Sequence, residues 1–419
     1  MSSFQYKNET LHCENVSLKQ IAEEVGTPFY VYSANGLRKR FREFDNAFEG
    51  MDRIVCYAVK ACGNIGVLAL LGSEGSGADI VSGGELHRAL KAGMDKNKIV
   101  FAGVGKTEEE IKFGISSDIL MFNAESRQEI DLINKCAGEM NATARIAIRV
   151  NPDVDAKTHP YISTGLKKNK FGIPVDKAKE DYIYASSLPN IEAVGIHCHI
   201  GSQLTEISPF RDAAAILVKL IKDLRKNGVN IKYLDLGGGL GITYHDEHAP
   251  SHKEYAEAIK EVIRDEDFTL VFEPGRNISG NAGALVTKVL YTKETEEKSF
   301  KIVDAAMNDL ARPSLYNAYH EVQAVDSTEK MFTGDIVGPI CESSDFLAKD
   351  RNMPNVKRGG LYAVMDTGAY GMTMASNYNS RPRVPEILVD GENYHIVRRR
   401  ETYDDLTGPE GIPKYLRTK

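Results

Sequence analysis

A lysine at the end of a short apolar run is the residue of this sequence best suited to covalent chemistry. Lys60 directly follows residues 54–59, Ile-Val-Cys-Tyr-Ala-Val, which predict a buried strand. In parallel α/β folds the chemical residues lie at the carboxyl ends of the strands. Burial there lowers the pKa of an amine and makes it a nucleophile for carbonyl carbon. Taken alone, however, a lysine at this position more commonly extends into water.

Two glycine-containing segments, at 237–239 and 273–276, predict a seat for a phosphate group. The first reads Gly-Gly-Gly and the second Glu-Pro-Gly-Arg, and each follows a predicted strand. Consecutive glycines let backbone N–H groups approach an anion closely. Barrel enzymes often bind phosphate in the loops after strands seven and eight. Either segment alone is more typical of a tight turn, so the prediction depends on the pair.

Glu273 ends the eighth predicted strand, where its carboxylate can meet an aromatic cofactor. A carboxylate beside a pyridine nitrogen keeps that nitrogen protonated and strengthens the ring as an electron sink. Such a sink matters for decarboxylation, because the carbanion left by carbon dioxide must be delocalised. A structural ion pair between Glu273 and Arg276 is the alternative interpretation.

The sixth predicted strand ends in a segment with two histidines, His197 and His199. We predict that His199 stacks on a flat cofactor and that Ser202 adds a hydrogen bond to a phosphate. His197 fits better as a core histidine satisfied by the backbone. We predict no metal site, because no third ligand lies near the histidines in the sequence.

Three segments nearer the C-terminus carry charged, thiol and phenol groups. Arg312 precedes Tyr316 by four residues, and a guanidinium can bind a carboxylate through two parallel hydrogen bonds. Cys341 precedes Glu342 after a Gly-Pro turn, so the thiol can act as an acid, although a buried structural cysteine is commoner. Tyr370 lies in a glycine-flanked segment that suits either a phosphate contact or a simple turn.

The elements that must position these residues follow a repeating pattern between about residues 28 and 280. The predicted strands are 54–59, 78–81, 99–103, 119–122, 145–150, 194–199, 232–237 and 269–273. Helical stretches separate most of them, as at 108–115, 124–139 and 209–227. Eight repeats over roughly 250 residues predict an α/β fold with a closed, TIM-type (β/α)8 barrel. A doubly wound open sheet is the alternative, but it would concentrate the chemical residues at one switch point.

A second domain is predicted where the pattern changes, after about residue 280. Short alternating runs at 284–291, 300–303, 360–365 and 386–389 are punctuated by Gly, Pro and Asn and indicate mostly antiparallel strands. Residues 29–32 also resemble a strand and can join them. The barrel is therefore assigned to 34–279, and the β domain, like a sandwich or a barrel, to 1–33 with 280–419. The polar stretch 164–172 is long enough to form a lid.

Composition narrows the class of protein. The 419 residues carry a formal net charge of −7, which gives no basic surface for nucleic acid. No apolar run approaches the roughly 20 residues of a membrane span, and the polar N-terminus lacks the core of a signal peptide. The six scattered cysteines contain no Cys-x-x-Cys pair, which indicates reduced thiols and predicts a cytoplasmic protein.

Together these segments resemble the fold-type III pyridoxal-phosphate decarboxylases, and most nearly the diaminopimelate decarboxylase family. The resemblance spans 29–407, and its motifs are Tyr57-Ala58-Val59-Lys60, His199-Ile200-Gly201-Ser202-Gln203, Gly237-Gly238-Gly239, Glu273-Pro274-Gly275-Arg276, Cys341-Glu342-Ser343 and Gly368-Ala369-Tyr370. It implies pyridoxal 5'-phosphate as the cofactor. It also implies a homodimer with sites at the subunit interface, to which the β domain contributes. Ser344 departs from the family, which usually has glycine or threonine there.

The resemblance implies a reaction and a role for each matched residue. The reaction is decarboxylation of meso-2,6-diaminopimelate to L-lysine, the last step of lysine biosynthesis. Lys60 binds the cofactor covalently, His199 stacks on its ring, and Cys341 of the second subunit donates a proton. The other implied cofactor contacts are Ser202, Gly239, Glu273, Pro274, Gly275, Arg276 and Tyr370. The implied substrate contacts are Arg276, Arg312, Tyr316, Glu342 and Tyr370.

Three alternatives remain within related folds. Ornithine and arginine decarboxylases act on substrates without a distal carboxylate, and so need no arginine such as Arg312 to bind one. Racemases of related fold place an arginine at the ring nitrogen, which Glu273 argues against. Non-catalytic regulators lose cofactor residues or lack the segment around Cys341, whereas this sequence keeps both.

Overall fold

The computed structural model describes residues 3–155, 170–264 and 266–417, which form two compact units. One unit comprises Leu37–Ser279, and the other combines Met1–Gly36 with Gly280–Lys419. Most of the predicted lid at 164–172 lies outside the described residues.

The strands of the described residues are β1 (Phe4–Lys7), β2 (Thr10–Cys13), β3 (Val16–Ser17), β4 (Phe29–Ser33), β5 (Arg53–Ala58), β6 (Gly77–Ile80), β7 (Ile99–Phe101), β8 (Met121–Ala124), β9 (Ala144–Asn151), β10 (Ile173–Pro174), β11 (Ile191–His197), β12 (Tyr233–Asp235), β13 (Thr269–Phe272), β14 (Gly283–Glu294), β15 (Ser299–Val303), β16 (Val322–Ala324), β17 (Met331–Val337), β18 (Phe346–Pro354), β19 (Leu361–Val364), β20 (Glu386–Asp390) and β21 (Asn393–Arg398). The α-helices are α1 (Leu18–Val25), α2 (Ala34–Ala47), α3 (Ile65–Ser73), α4 (Gly83–Lys91), α5 (Glu108–Ser116), α6 (Arg127–Glu139), α7 (Val175–Ser187), α8 (Ser208–Lys226), α9 (His252–Ile263), α10 (Arg276–Ser279), α11 (Arg312–Tyr316) and α12 (Tyr403–Thr407).

Eight parallel strands of the first unit close into a barrel. Their order is β9, β11, β12, β13, β5, β6, β7 and β8, and pairing of β8 with β9 joins the two ends. The predicted (β/α)8 fold is therefore confirmed, and the open-sheet alternative is wrong. Closure places all eight carboxyl ends at one face, because every strand runs the same way. The interior is filled by apolar side chains such as Val100, Met121 and Val271.

Helix α8 illustrates why the sequence folds into strand–helix repeats. Its apolar residues Phe210, Leu217 and Leu224 recur on one face, and all three are buried. Charged and exposed residues such as Arg211, Lys219 and Lys222 lie on the opposite face, so one face packs inward while the other remains in water. The predicted helix at 209–227 differs from the observed one by a single residue at each end.

The second unit is built mainly from antiparallel strands. One sheet follows the order β18, β17, β15, β14, β4, β20 and β21, and β19 pairs with both β14 and β16. Strand β4, from the N-terminal segment, pairs antiparallel with β14 and parallel with β20. A small antiparallel sheet of β1, β2 and β3, followed by α1, packs on the same core, and the sequence interpretation missed it.

Two other features bear on where the protein acts. All six cysteines are free, and only Cys341 is exposed. Among the described residues, no helix combines the length and apolar character needed to cross a membrane.

Candidate active site

Lys60 lies two residues beyond β5, at the carboxyl face of the barrel. Strand β5 leads into the turn at Lys60. Helix α3 begins at Ile65, where the side chain of Asn64 caps the helix by accepting a hydrogen bond from the Gly66 N–H at 2.8 Å. The Lys60 Nζ atom lies 2.6 Å from Oδ2 of Asp79, and the lysine side chain keeps about a third of its surface exposed. Asp79 is fully buried on the neighbouring strand β6.

The ion pair at Asp79 has an electrostatic cost. Burial raises the pKa of Asp79 to about 6, the negative charge of Glu273 adds to this, and the charge of Lys60 opposes it. The carboxyl group therefore titrates near neutral pH, unlike an ordinary aspartate. A group of this kind can accept a proton from the lysine beside it.

Glu273 belongs to a buried polar network at the ends of β8, β11, β12 and β13. The side-chain N–H groups of Asn123 donate to Oε1 of Glu273 at 3.1 Å and to Oδ2 of Asp235 at 3.2 Å. Nε2 of His197 lies 3.5 Å from Oε2 of Glu273. The four side chains are almost completely excluded from solvent.

The two carboxyl groups of this network differ in protonation. Burial alone raises the pKa of Glu273, but the neighbouring His197 and the positive charge of Lys60 outweigh it and bring the pKa well below its usual range. Burial and the nearby charge of Glu273 raise the pKa of Asp235 well above its usual range. Two neighbouring buried carboxyl groups repel each other strongly when both are ionised, so one of them retains its proton. Glu273 is therefore the anion and Asp235 the neutral acid.

One prediction about this network is wrong. We expected backbone partners for His197, but among the described residues neither of its ring nitrogens has one, and Nε2 instead faces the Glu273 carboxylate. The third potential metal ligand that the sequence lacked is supplied by the fold. Single ligand atoms of His197, Asp235 and Glu273 lie within 4.8 Å of one another, which is close enough for a cation.

His199 is half-buried just beyond β11. Its Nδ1 accepts a hydrogen bond from the Gly238 N–H at 3.2 Å. Burial and the positive charge of Arg149 lower the pKa of His199 well below its usual value, so the ring is neutral. Arg149 is itself held by Glu125 at 2.7 Å. A neutral imidazole with a fixed orientation offers a flat face to an aromatic partner.

The predicted glycine loops make close backbone contacts. A Cβ atom at Gly239, where φ is +115°, would lie 2.5 Å from the Gly201 carbonyl oxygen, and one at Gly238 would lie 2.2 Å from that of Glu273. Only glycine fits at these positions. The backbone N–H of Glu273 donates to the Gly237 carbonyl at 2.8 Å, which joins the two loops predicted to bind one phosphate.

Arg276 is buried beside these loops. Its NH2 group donates to Ser202 Oγ at 3.2 Å and its NH1 group to the Tyr244 hydroxyl at 2.7 Å. Pro274 and Gly275 lead into α10, and a Cβ at Gly275 would lie 2.9 Å from that of Ala58. A fixed cation and a hydroxyl therefore lie together at the carboxyl face of the barrel.

In the second unit, Arg312 begins α11 and is only 7% exposed. Its guanidinium carbon lies 5.9 Å from the ring centre of the half-buried Tyr316. Its Nε donates to Nε2 of the fully buried His320 at 3.3 Å. A buried guanidinium of fixed orientation is suited to bind a carboxylate.

Cys341 and Glu342 lie in an exposed loop whose backbone is held by hydrogen bonds to side chains. The Cys341 N–H donates to the Asn379 side-chain oxygen at 3.1 Å. Glu342 accepts a hydrogen bond from Ser344 at 3.0 Å, so the unusual Ser344 contacts the predicted substrate residue. Asp345 closes the loop by accepting from the Ile340 N–H at 2.7 Å.

Tyr370 has the left-handed backbone conformation, with φ of +56°. This conformation costs a bulky residue on the order of 1–3 kcal/mol and persists only where the surroundings impose it. The neighbouring glycine leaves no room for a side chain, since a Cβ at Gly371 would lie 2.5 Å from the Thr367 carbonyl oxygen. Strain of this kind is common at ligand-binding positions.

The structure brings one set of predicted residues together at the carboxyl face of the barrel: Lys60, His199, Ser202, Gly239, Glu273, Pro274, Gly275 and Arg276. The remaining ones lie in the second unit: Arg312, Tyr316, Cys341, Glu342 and Tyr370. The sequence interpretation missed Asp79, Asn123, Asp235 and His320. A signal existed for Asp79 and Asp235, because each lies within a predicted strand near its carboxyl end, where a charged residue is unusual.

These residues fit pyridoxal phosphate. Lys60 supplies an amine for its aldehyde, and the buried guanidinium of Arg276 with the Ser202 hydroxyl, beside the Gly237–Gly239 loop, suits its phosphate. Glu273 supplies a buried anion for a ring nitrogen, and neutral His199 supplies a flat face.

Comparison with known proteins agrees with this fit. A family model described as the pyridoxal binding domain of pyridoxal-dependent decarboxylases matches residues 34–280. The fold and the site thus define a pyridoxal-dependent decarboxylase. The chain is 52% identical over 407 residues to a diaminopimelate decarboxylase of Aquifex aeolicus, covering 97% of this chain and 96% of that one. It therefore belongs to the diaminopimelate decarboxylase family.

Solved structures lead to the same family. Diaminopimelate decarboxylase from Helicobacter pylori, complexed with L-lysine, is 42% identical with a TM-score of 0.91, and the match covers 93% of this chain and 98% of that one. The enzyme from M. jannaschii, also in complex with L-lysine, is 39% identical with a TM-score of 0.94 and covers 99% of this chain and 100% of that one.

Proposed function

We propose that this protein removes one carboxyl group of meso-2,6-diaminopimelate and releases carbon dioxide and L-lysine, as the last step of lysine biosynthesis. The observation that carries the proposal is the buried, ionised Glu273 near the amine of Lys60. An anion there keeps a pyridine nitrogen protonated, which favours loss of carbon dioxide. Family membership supports diaminopimelate as the substrate.

Pyridoxal phosphate, when bound, supplies an electron-withdrawing ring that accepts the electron pair left by the departing carbon dioxide. Lys60 attaches the cofactor, and Asp79 accepts the proton that the amine must lose first. His199 packs against one ring face. The backbone of Gly239, Gly275 and Arg276, together with Pro274, Ser202 and Tyr370, binds the phosphate end. Each of these roles is part of the proposal.

The second set of residues is proposed to bind the substrate. Arg312, with Arg276, Tyr316 and Tyr370, binds the distal carboxylate, which a guanidinium can hold through two hydrogen bonds. Glu342 binds the distal amine, since a carboxylate attracts an ammonium group. Cys341 donates a proton to the carbon that has lost its carboxyl group.

We further propose a homodimer in which Cys341 and Glu342 serve the site of the other subunit. Both side chains are exposed in the single chain, as residues that complete a neighbour's site must be before assembly. A cytoplasmic location is proposed on separate grounds. Six free cysteines, without a disulfide, are typical of a reducing compartment.

The deciding experiment measures carbon dioxide release from meso-diaminopimelate, L-ornithine and L-arginine at equal concentration. Of these three compounds, we expect only diaminopimelate to be turned over at a high rate. Faster turnover of either basic amino acid would contradict the substrate assignment, and no turnover of any of them would favour a regulator. Arg312→Ala should weaken diaminopimelate binding by roughly 2–5 kcal/mol if the pair is desolvated. An unchanged KM would remove Arg312 from the site.

A further inference from the structure

His320 is a buried side chain to which neither the sequence interpretation nor the proposed function gives a role. It lies just before β16, has no exposed surface, and contacts Arg312 directly. The Nε of Arg312 lies 3.3 Å from Nε2 of His320. On the other side of the ring, Nδ1 lies 2.9 Å from the Met365 carbonyl oxygen.

These two contacts fix the state of the imidazole ring. A carbonyl oxygen can only accept, so Nδ1 of His320 carries a hydrogen and donates it to Met365. The Nε of Arg312 always carries a hydrogen and can only donate. Nε2 of His320 must therefore present its lone pair to Arg312, which requires the neutral ring with its hydrogen on Nδ1.

The backbone around His320 is held as firmly as its ring. The Met365 N–H donates to the Glu321 carbonyl at 2.8 Å, and NH1 of Arg351 donates to the His320 carbonyl at 2.6 Å. Arg351 in turn stacks over the ring of Tyr319, with 3.9 Å from guanidinium carbon to ring centre. The acceptor for Arg312 is thus anchored from two sides.

The bond to His320 matters because a guanidinium can bind a carboxylate in two ways. One uses the pair NH1 and NH2, and the other uses Nε with one terminal nitrogen. Since His320 takes the Nε hydrogen of Arg312, a carboxylate that binds through two hydrogen bonds must use NH1 and NH2. The same bond orients the guanidinium plane before the ligand arrives, which reduces the entropy lost on binding.

We propose that His320 is a positioning residue that selects for the distal carboxylate by holding Arg312 through its Nε. The inference rests on the proposed role of Arg312 as the group that binds this carboxylate. It deepens that role, because it assigns the specificity to a pair of residues rather than to the arginine alone.

Two substitutions at His320 separate the positioning role from a purely structural one. His320→Gln places an amide oxygen near the position of Nε2, so it can still accept from Arg312 but loses the bond to Met365. His320→Asn places an amide N–H near the position of Nδ1, so it keeps the bond to Met365 but loses the acceptor for Arg312. A structural role predicts that the Gln variant is the more damaged, whereas positioning predicts that the Asn variant is.

The measurement uses the cofactor-loaded protein and two ligands that differ in one group. L-lysine has a carboxylate equivalent to the distal one of the substrate, and 1,5-diaminopentane lacks it. We expect His320→Asn to weaken L-lysine binding about 10- to 100-fold by calorimetry, which is the loss of one or two charge-assisted hydrogen bonds. Binding of 1,5-diaminopentane should not change, and His320→Gln should stay within about threefold of wild type for both ligands.

A double substitution tests whether His320 acts through Arg312. In the Arg312→Ala background, adding His320→Asn should cause no further loss of L-lysine affinity. His12→Asn is the matched control, because Nδ1 of His12 also donates to a backbone carbonyl, at 2.8 Å from Thr10, but lies far along the chain on β2. This control should bind both ligands normally.

The outcomes distinguish the proposal from the function on which it rests. Equal L-lysine affinity in wild type and His320→Asn, or a larger loss in His320→Gln, would overturn the positioning role. Wild-type protein that neither binds L-lysine nor turns over diaminopimelate would overturn the proposed function instead. If His320→Asn does not fold, loss of L-lysine affinity in His320→Gln is by itself enough to reject the inference.

Discussion

Lys60 and Asp79 form an ion pair between the carboxyl ends of two adjacent barrel strands, with 2.6 Å from Nζ to Oδ2. The lysine is partly exposed, whereas the aspartate has no contact with solvent. Because burial brings the pKa of Asp79 to about 6, the carboxyl group can exchange a proton with its neighbour near neutral pH. The carboxyl group of Asp79 is therefore a proton acceptor directly beside the amine of Lys60.

Asp79→Asn should slow attachment of the cofactor. The amide keeps the size of the side chain and a hydrogen-bond acceptor, but it cannot take the proton that Lys60 must lose. We expect pyridoxal phosphate to bind covalently to the cofactor-free variant about 10- to 100-fold more slowly, followed by the absorbance of the bound cofactor. Asp118→Asn, which breaks the exposed pair with Lys96, is the control and should react normally. An unchanged rate in Asp79→Asn would remove Asp79 from this step.

The same aspartate should make stability depend on pH. The pKa of Asp79 is raised in the folded chain, from its usual 3.8 to about 6, so the folded state holds the proton more tightly than the unfolded state. Its contribution to stability is thus complete below about pH 4 and is lost as the pH rises through 6. Relative to Asp79→Asn, the cofactor-free wild type should lose about 3 kcal/mol in free energy of unfolding between pH 4 and pH 7.

Urea unfolding of both cofactor-free chains at intervals across this range provides the measurement. Since the asparagine does not titrate, the difference between the two chains isolates the aspartate from all other groups. A difference that stays constant with pH would mean that Asp79 has an ordinary pKa in the folded chain.

Glu273→Gln should reduce turnover more than substrate binding. The amide occupies the same space and can still contact Asn123, but it removes the negative charge that strengthens the electron sink. We expect kcat to fall about 10- to 100-fold while KM for diaminopimelate changes little, because the loss appears only in the transition state. Glu386→Gln is the control, since Glu386 is a buried glutamate that accepts from Tyr32 in the β unit. Equal losses in both variants would indicate a general folding defect.

Mixing two inactive variants tests the shared site. Lys60→Ala and Cys341→Ala chains should each be inactive alone, because each lacks one required group. If Cys341 serves the other subunit, random re-pairing rebuilds one complete site in each mixed dimer, and about a quarter of wild-type activity returns. No recovery, with mixed dimers demonstrated by mass spectrometry, would place Cys341 in the site of its own chain.

Removal of metal ions should leave activity unchanged. The ligand atoms of His197, Asp235 and Glu273 are close enough for a cation. However, a proton on Asp235 removes one negative charge from this cluster, and the amide of Asn123 already donates a hydrogen bond to it. We therefore expect full turnover after dialysis against a chelator, with metal content measured by mass spectrometry. Loss of activity that zinc or another divalent ion restores would show that the cluster is a metal site.

Much of the architecture could be predicted from local pattern. The eight barrel strands were each located to within about three residues, because short apolar runs bounded by turn residues are strong signals. The N-terminal sheet of β1 to β3 was missed, since strands of two to four residues carry too few positions to show alternation. The strand at 29–32 was found, but its partners β14 and β20 lie more than 250 residues away and follow from no local rule.

The sequence by itself determined which residue types are present to do chemistry: Lys60 at the end of an apolar run, glycine segments after two predicted strands, and Glu273 at the end of one of these strands. Only the tertiary structure decided how these groups are ionised. Asp79, Asp235 and Glu273 are all carboxylates, yet their pKa values diverge because closing the barrel buries them together. Likewise, no spacing rule pairs Arg312 with His320, since the orientation of His320 depends on its hydrogen bond to the carbonyl of Met365, 45 residues further along the chain.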